Sequence, residues 1–241
     1  NAFNTENCIA YQRTPDWSRM PAIETEWKTK EVYDNFIDAC TNKNIQIITP
    51  FENQRVQISD NTYIEFYNTD FADYNDYNSL SICVLLVHKN KKYFFIGDIN
   101  NTAQANIVTK VPKADVLKGN HHDFNDSANY DFYKKINPSK VIITNPLKQK
   151  PRALSGYCQY NNIPYFAQFD SGTIVLTSTG YSYELNTTTR TLYKDDWWNK
   201  DGKYTEWYWF KSDGAYAKNE DLEINGKLYH FDKNGICTNP Y

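Results

Sequence analysis

Two short clusters in the middle of the chain hold residue types able to do chemistry. The first is Gly97-Asp98-Ile99, at the end of an apolar run, and the second is Lys118-Gly119-Asn120-His121-His122-Asp123. A carboxylate fixed at a rigid strand end can place one oxygen on each of two metal ions. Neutral imidazole is a common metal ligand. Adjacent histidines on a tight loop diverge, so one can ligate while the other faces a substrate. Each cluster also has a plainer reading when taken singly. Gly-Asp after a strand is commonly a turn or a helix cap, and a histidine pair flanked by Gly119 and Asn120 is commonly a polar surface loop.

The elements around these clusters are arranged to deliver them. Residues 80–88 are a near-continuous apolar run, which predicts a central strand buried on both faces. After the turn Lys89-Asn90-Lys91, a strand over 93–96 leads into Gly97-Asp98. A short helix over 102–110 and a strand over 114–117 lead to the histidines. A helix over 125–136 follows, with Asp126 or Ser127 as its N-cap, and then a buried strand over 141–144. Downstream, the pattern predicts a helix over 152–160, a strand over 163–168, and a hairpin over 173–177 and 181–185 across Ser178-Thr179-Gly180. Upstream, residues 1–30 read as loop. A helix over 31–43 places Val32, Phe36, Ile37 and Cys40 on one apolar stripe. A strand over 45–49 ends at Pro50, and strands over 55–58 and 62–67 pair across Ser59-Asp60-Asn61. Strands and helices alternate, so the class is α/β with a mixed sheet, and both clusters fall where ligand groups gather, beyond strand ends.

Composition narrows the function. The chain has 241 residues, enough for a sizeable core with a small appendage. Lys and Arg number 26 against 29 Asp and Glu, with no basic block, which argues against a nucleic-acid groove or an anionic membrane surface. No stretch has transmembrane length and no signal peptide is visible. The five cysteines lie far apart with no Cys-x-x-Cys, so a thiolate zinc site or redox motif is not indicated, and Cys40 and Cys83 read as small core residues. The chain starts at an asparagine, which suggests a processed or truncated product.

The last fifty or so residues differ in character. Four of the 6 tryptophans, Trp197, Trp198, Trp207 and Trp209, crowd together there, marking a second module over 191–241 after a first over 1–190. Within it Tyr208-Trp209-Phe210-Lys211-Ser212-Asp213-Gly214 matches Tyr229-His230-Phe231-Asp232-Lys233-Asn234-Gly235, and Gly202-Lys203 matches Gly226-Lys227 once Tyr204-Thr205-Glu206 is set aside as an insertion. Each unit reads as an aromatic hairpin too small to bury its own rings, so that units stack. His230 stands where the first unit has Trp209 and is a repeat position, not a stray metal ligand.

The ordered middle of the chain runs from Asn78-Ser79-Leu80 through two strands to Gly97-Asp98. It continues through Lys118 to the histidine pair and on to Val141-Ile142-Ile143-Thr144. It resembles the second half of the metallo-β-lactamase fold, an αββα sandwich, over about residues 40–170. The likeness is to the branch that holds competence-type DNA-uptake hydrolases and cell-wall phosphorylcholine esterases. It implies that Asp98 bridges two zinc ions, that His122 ligates the second, and that His121 faces the substrate and assists the leaving group. Asp123 stands where that family has glycine, as an added ligand, an outer carboxylate or a mark of a decayed loop. The family's first-half motif His-x-His-x-Asp-His is absent, as is the isolated histidine before Gly-Asp; His88 reads as structural. Two ligand residues cannot hold a dinuclear zinc site, since each zinc takes about four donors. The expectation is therefore that the missing half lies upstream of Asn1 or that the site is lost, and that this chain alone binds metal poorly.

The C-terminal units resemble choline-binding or cell-wall-binding repeats of Gram-positive surface proteins and clostridial toxins. In choline-binding members, rings from successive repeats box a quaternary ammonium. Trp197, Trp198, Trp207, Tyr208, Trp209 and Tyr229 are the matching aromatics, although for most of them a plain solenoid core is the simpler role. Leu222 stands where that pattern often has tryptophan. Together the resemblances imply an extracellular, cell-wall-associated zinc hydrolase of a phosphoester, of phosphorylcholine esterase or phosphodiesterase type, with teichoic acid, choline or glycan as the wall ligand. The alternatives are a non-catalytic wall-binding protein or adhesin with a degenerate hydrolase fold, and a nuclease-like hydrolase of the DNA-uptake type.

Overall fold

A computed structural model describes residues 8–124, 129–145, 152–187, 194–199 and 205–240. Its strands, in chain order, begin with β1 (Ile9–Tyr11) and β2 (Gln46–Ile48), which pair in parallel. Then come β3 (Arg55–Ser59), β4 (Thr62–Tyr67), β5 (Cys83–His88), β6 (Lys91–Phe95), β7 (Val116–Lys118), β8 (Lys140–Ile143) and β9 (Tyr165–Ala167). These seven form one sheet in the order β3-β4-β5-β6-β7-β8-β9. The pairs from β3 to β6 are antiparallel, and those from β6 to β9 are parallel. The protein is thus a mixed α/β structure with small antiparallel hairpins beside its main sheet.

Parallel neighbours need crossovers. The helices α1 (Ala22–Glu26) and α2 (Thr29–Asn42) precede the sheet. Crossovers are made by α3 (Asn101–Ile107), α4 (Tyr130–Ile136) and α5 (Ala153–Tyr160), and a short α6 (Gln168–Ser171) follows β9. All three crossover helices pack on one face of the sheet. That face is built from alternate residues, Cys83, Leu85 and Val87 of β5 with Phe94, Leu117, Val141 and Tyr165 in register beside them, all buried. Ala103, Ile107, Phe132, Tyr133, Ile136, Leu154 and Cys158 meet them from the helices. The opposite face, with Val84, Leu86, Phe95 and Ile142, is only partly covered.

The helix expected over 31–43 forms, but its apolar stripe does not reach the core. Val32 is 64% and Phe36 is 40% exposed, and only Cys40 is buried. Both line a cavity of about 840 Å³ between α2 and the open face of β4 and β5. Residues 1–30, read as loop, contain β1, a 3-10 turn over Trp17–Arg19 and α1. The 3-10 turn is capped by Asp16, which accepts from the Ser18 amide at 3.1 Å, whereas β1 depends on its distant partner β2. The helix expected over 125–136 is seen from Tyr130, capped by Asn129, whose side chain accepts from Phe132 N at 3.1 Å. Asp126 and Ser127 lie outside the described residues. No helix among the described residues is long and apolar enough to cross a membrane.

Hairpin β10–β11 (Val175–Ser178 and Tyr183–Asn186) lies against the turn between β5 and β6. Its Ser178 Oγ accepts from Tyr93 OH at 2.7 Å and lies 3.0 Å from His88 Nδ1, which gives His88 a structural partner. Beyond it come β12 (Asp196–Asn199) paired with β13 (Trp207–Phe210), and β14 (Glu220–Ile224) paired with β15 (Lys227–Phe231). The two hairpins repeat in their backbone bonding. Lys211 N donates to Ala215 O as Asp232 N does to Ile236 O, and Ala217 N to Trp209 O as Thr238 N does to His230 O. Isolated bridges Phe210–Tyr216 and Phe231–Cys237 match in the same way. Every pair is 21 positions apart, the offset read in the sequence. The second unit is tied to the first by Cys237 N donating to Trp207 O at 2.8 Å.

The repeat pair does not stand apart from the main sheet. Trp198, Tyr208 and Phe210 are buried in one cluster with Tyr130 of α4 and Tyr157 and Tyr160 of α5. Gly156 makes this close approach possible. A Cβ there would lie 2.2 Å from Trp198 Nε1.

Candidate functional site

The site lies at the carboxyl ends of β6, β7 and β8, three neighbours in the sheet. Beyond β6 comes Gly97-Asp98, beyond β7 the loop 119–123, and beyond β8 Thr144-Asn145. Because these strands are parallel, their ends open on the same edge, and three separate stretches of sequence meet there.

Gly97 has φ +55°, in the left-handed region where a side chain is strained. A Cβ would also lie 2.8 Å from Ser81 Cβ. The close approach lets Ser81 Oγ accept from Asp98 N at 3.2 Å. Ser81 is itself held by the buried Asn68, whose amide donates to Ser79 O and Ser81 O at 2.7 and 2.9 Å. Arg13 donates to Leu80 O at 3.2 Å and closes this support from the N-terminal segment.

The histidine loop is held to the same edge. Gly119 N donates to Ile142 O at 2.8 Å, and His121 N to Gly97 O at 3.1 Å. His121, His122 and Asp123 all have positive φ, of 38°, 55° and 56°. The two imidazoles have ring centroids 6.4 Å apart and planes tilted by 61°. His122 Nδ1 lies 2.8 Å from Thr144 O. A carbonyl only accepts, so Nδ1 carries a proton, and in the neutral ring the lone pair is then on Nε2. That Nε2 lies 3.9 Å from Asp98 Oδ1. Two donors on one tetrahedral zinc stand roughly 3.4 Å apart, so the pair is within about half an ångström of sharing an ion.

Lys118 completes the cluster. Its Nζ is 3.9 Å from Asp98 Oδ1 and donates to Gly97 O at 3.5 Å. Burial of the stem lowers its pKa from the ordinary lysine value, and Asp98 pulls the other way. Asp123 takes a different course. Both its oxygens are engaged by helix amides, Oδ1 accepting from Leu154 N at 3.0 Å and Oδ2 from Ser155 N at 3.1 Å. Burial pushes its carboxyl up to about 6 against these hydrogen bonds. Asp123 is therefore not placed as a ligand.

Asp98 and His122 thus come together, and His121 sits beside them. Among the described residues no group of three or more His, Cys, Asp or Glu side chains assembles. The pair fits one edge of a metal's coordination shell in spacing and tautomer, and falls short in donor number. Thr144, Asn145 and Ser81 had no assigned part in the sequence reading. Thr144 and Asn145 could have been found from their place after an apolar strand, as Asp98 was. Asn145 donates to His122 O at 2.9 Å. Ser81 gave no signal, because its role depends on the unusual backbone of Gly97.

The repeat aromatics divide into two groups. Trp198 and Tyr208 are each 1% exposed, packed toward α5. Trp197, Trp207, Trp209 and Tyr229 are partly buried between the two units. Trp197 is central there, with ring centroids 5.2 Å from Trp209 and 4.8 Å from Tyr229. A cavity of about 490 Å³ lies beside Trp209, Lys211, Leu222 and Glu223. The exposed His230 pairs with Asp221 at 2.7 Å.

The chain matches no protein-family model, and no curated protein matches it.

Proposed function

We propose that this chain is part of a secreted, metal-dependent hydrolase of the metallo-β-lactamase type, acting on a phosphoester and carried to the bacterial cell wall by its aromatic repeats. The observation that carries the reading is the approach of His122 Nε2 to Asp98 Oδ1, 3.9 Å, with the proton of His122 fixed on Nδ1 by Thr144 O. A histidine whose second nitrogen is bonded to a carbonyl is the usual form of a metal ligand.

Asp98 and His122 would hold zinc, and the further donors that a complete pair of ions needs would come from outside the described residues. Zinc, when bound, supplies a water of lowered pKa for attack on the ester. The chain's own groups do the rest. His121, on this reading, would face the substrate and give a proton to the leaving oxygen. In the repeats, the partly buried rings of Trp197, Trp207, Trp209 and Tyr229 are the ones available to a quaternary ammonium or a sugar face.

Zinc content of the full-length protein tests the site. Asp98→Ala and His122→Ala are expected to lose metal and hydrolysis of a phosphorylcholine ester together; undiminished zinc in Asp98→Ala refutes the bridging role. Retention on a choline resin, lost in Trp209→Ala, tests the repeats, and retention on teichoic acid glycan alone would identify the other ligand. A non-catalytic wall-binding protein is the second reading. It is favoured by the small donor set among the described residues and by the Lys118 ammonium already 3.9 Å from Asp98. A zinc-free, inactive full-length protein that still binds walls would establish it. The near-balanced charge weighs against a DNA-uptake nuclease.

A further inference from the structure

Three consecutive non-glycine residues, His121 to Asp123, stand in the left-handed region, which is sterically costly for any residue with a Cβ. Such a run persists only where its surroundings fix it. Its entry is fixed by His121 N on Gly97 O at 3.1 Å. Its middle is fixed by the contacts of His122 with Thr144 and Asn145. Its exit is fixed by Asp123, 5% exposed, which accepts from two amides in the first turn of α5. First-turn amides of a helix point out of its end, where a carboxylate is favoured.

We infer that Asp123 is a positioning residue: by gripping the start of α5 it holds the left-handed run, and so sets the His122 ring with Nδ1 on Thr144 and Nε2 toward Asp98. The inference rests on the reading of Asp98 and His122 as one edge of a metal site. The competing account is that Asp123 only caps α5 and so contributes stability without affecting His122.

Ring nitrogen NMR of His122 separates the two, because it reports the tautomer with no metal present. In the native chain the Nδ1–H form is expected alone. In Asp123→Ala the Nε2–H form should appear as the bond to Thr144 is released. Asp123→Asn keeps one acceptor and should give a mixture; it also serves if the alanine variant does not fold. Ile136→Val, a core change in α4, should lower the melting temperature yet keep the native tautomer. If Asp123→Ala and Asp123→Asn are destabilised but keep the native His122 signals, the positioning role is overturned. Zinc titration followed at the same ring signals adds a second arm. A zinc-dependent shift in the native chain that weakens at least tenfold in Asp123→Ala supports the inference. No zinc response in the full-length native protein would remove the metal reading, while the tautomer result would still decide the role of Asp123.

Discussion

Asp98 owes its place to a residue that has no side chain. Gly97 combines φ +55° with a contact that leaves no room for a Cβ. Gly97→Ala is expected to cost about 1–3 kcal/mol in urea unfolding and to move Asp98 away from His122. Ser81→Ala removes only the acceptor for Asp98 N and should cost about 1 kcal/mol. If the two variants prove equally stable, the Gly97 backbone is not under the constraint described. At this scale residue type and order made Asp98 and the histidine pair legible. Of the residues that hold them, Thr144 and Asn145 follow an apolar strand as Asp98 does, whereas Ser81, Asn68 and the grip of Asp123 were not legible, because their contacts run between distant parts of the chain. Asp123 meets an amide 31 positions away, and Asn68 reaches Ser81 across 13. Nothing local marks such partners. The sequence left Asp123 open between ligand, outer carboxylate and decayed loop, and its hydrogen bonds favour a structural grip.

Among the elements, the two aromatic hairpins were the most legible, since the repeat shows in residue type, turn and spacing together. Their bonding also gives them a pH dependence. The Lys211 ammonium, 2.9 Å away, lowers the Glu220 carboxyl from its ordinary value. The Ile236 amide, followed by those of Asn234 and Gly235, lowers Asp232. Both carboxylates are thus favoured as charged groups in the folded state. Their contribution is present above the ordinary carboxylate range and is lost as pH falls through the depressed values. Tryptophan emission is therefore expected to shift as pH is taken from about 5 to about 3, and Asp232→Asn should flatten part of that change. An emission spectrum constant over this range would count against it. Helix α2 shows the opposite case. Its periodicity was clear and its helix formed, yet its stripe faces a cavity, because periodicity says which face is apolar and not what covers it.

For the molecule as a whole, the composition break near residue 191 suggested a separate module, whereas the first hairpin shares a buried cluster with α4 and α5. The break marks a change of residue type, not a gap in packing. Gly156 would have passed for a weak point in a helix. It is the notch that seats Trp198. Gly156→Ala forces a Cβ to within 2.2 Å of that ring and is expected to cost about 1–3 kcal/mol and to split one thermal transition into two. A single transition at the native temperature would show that the seat can yield.

The shared helix has a bearing on reach. Helix α5 receives Asp123 at its start and Trp198 along its length, so the repeats and the histidine loop are fastened to the same short rod. On the proposed function, a wall ligand held by the repeats sits at a set distance and bearing from the edge where Asp98 and His122 meet. A loosely tethered enzyme samples every bond within its radius, and its effective concentration falls smoothly with tether length. A fixed arm samples a narrow band. Cleavage along a regular polymer would then depend on how its repeat spacing matches the arm, and changing that spacing should alter the rate more than changing the affinity of the repeats.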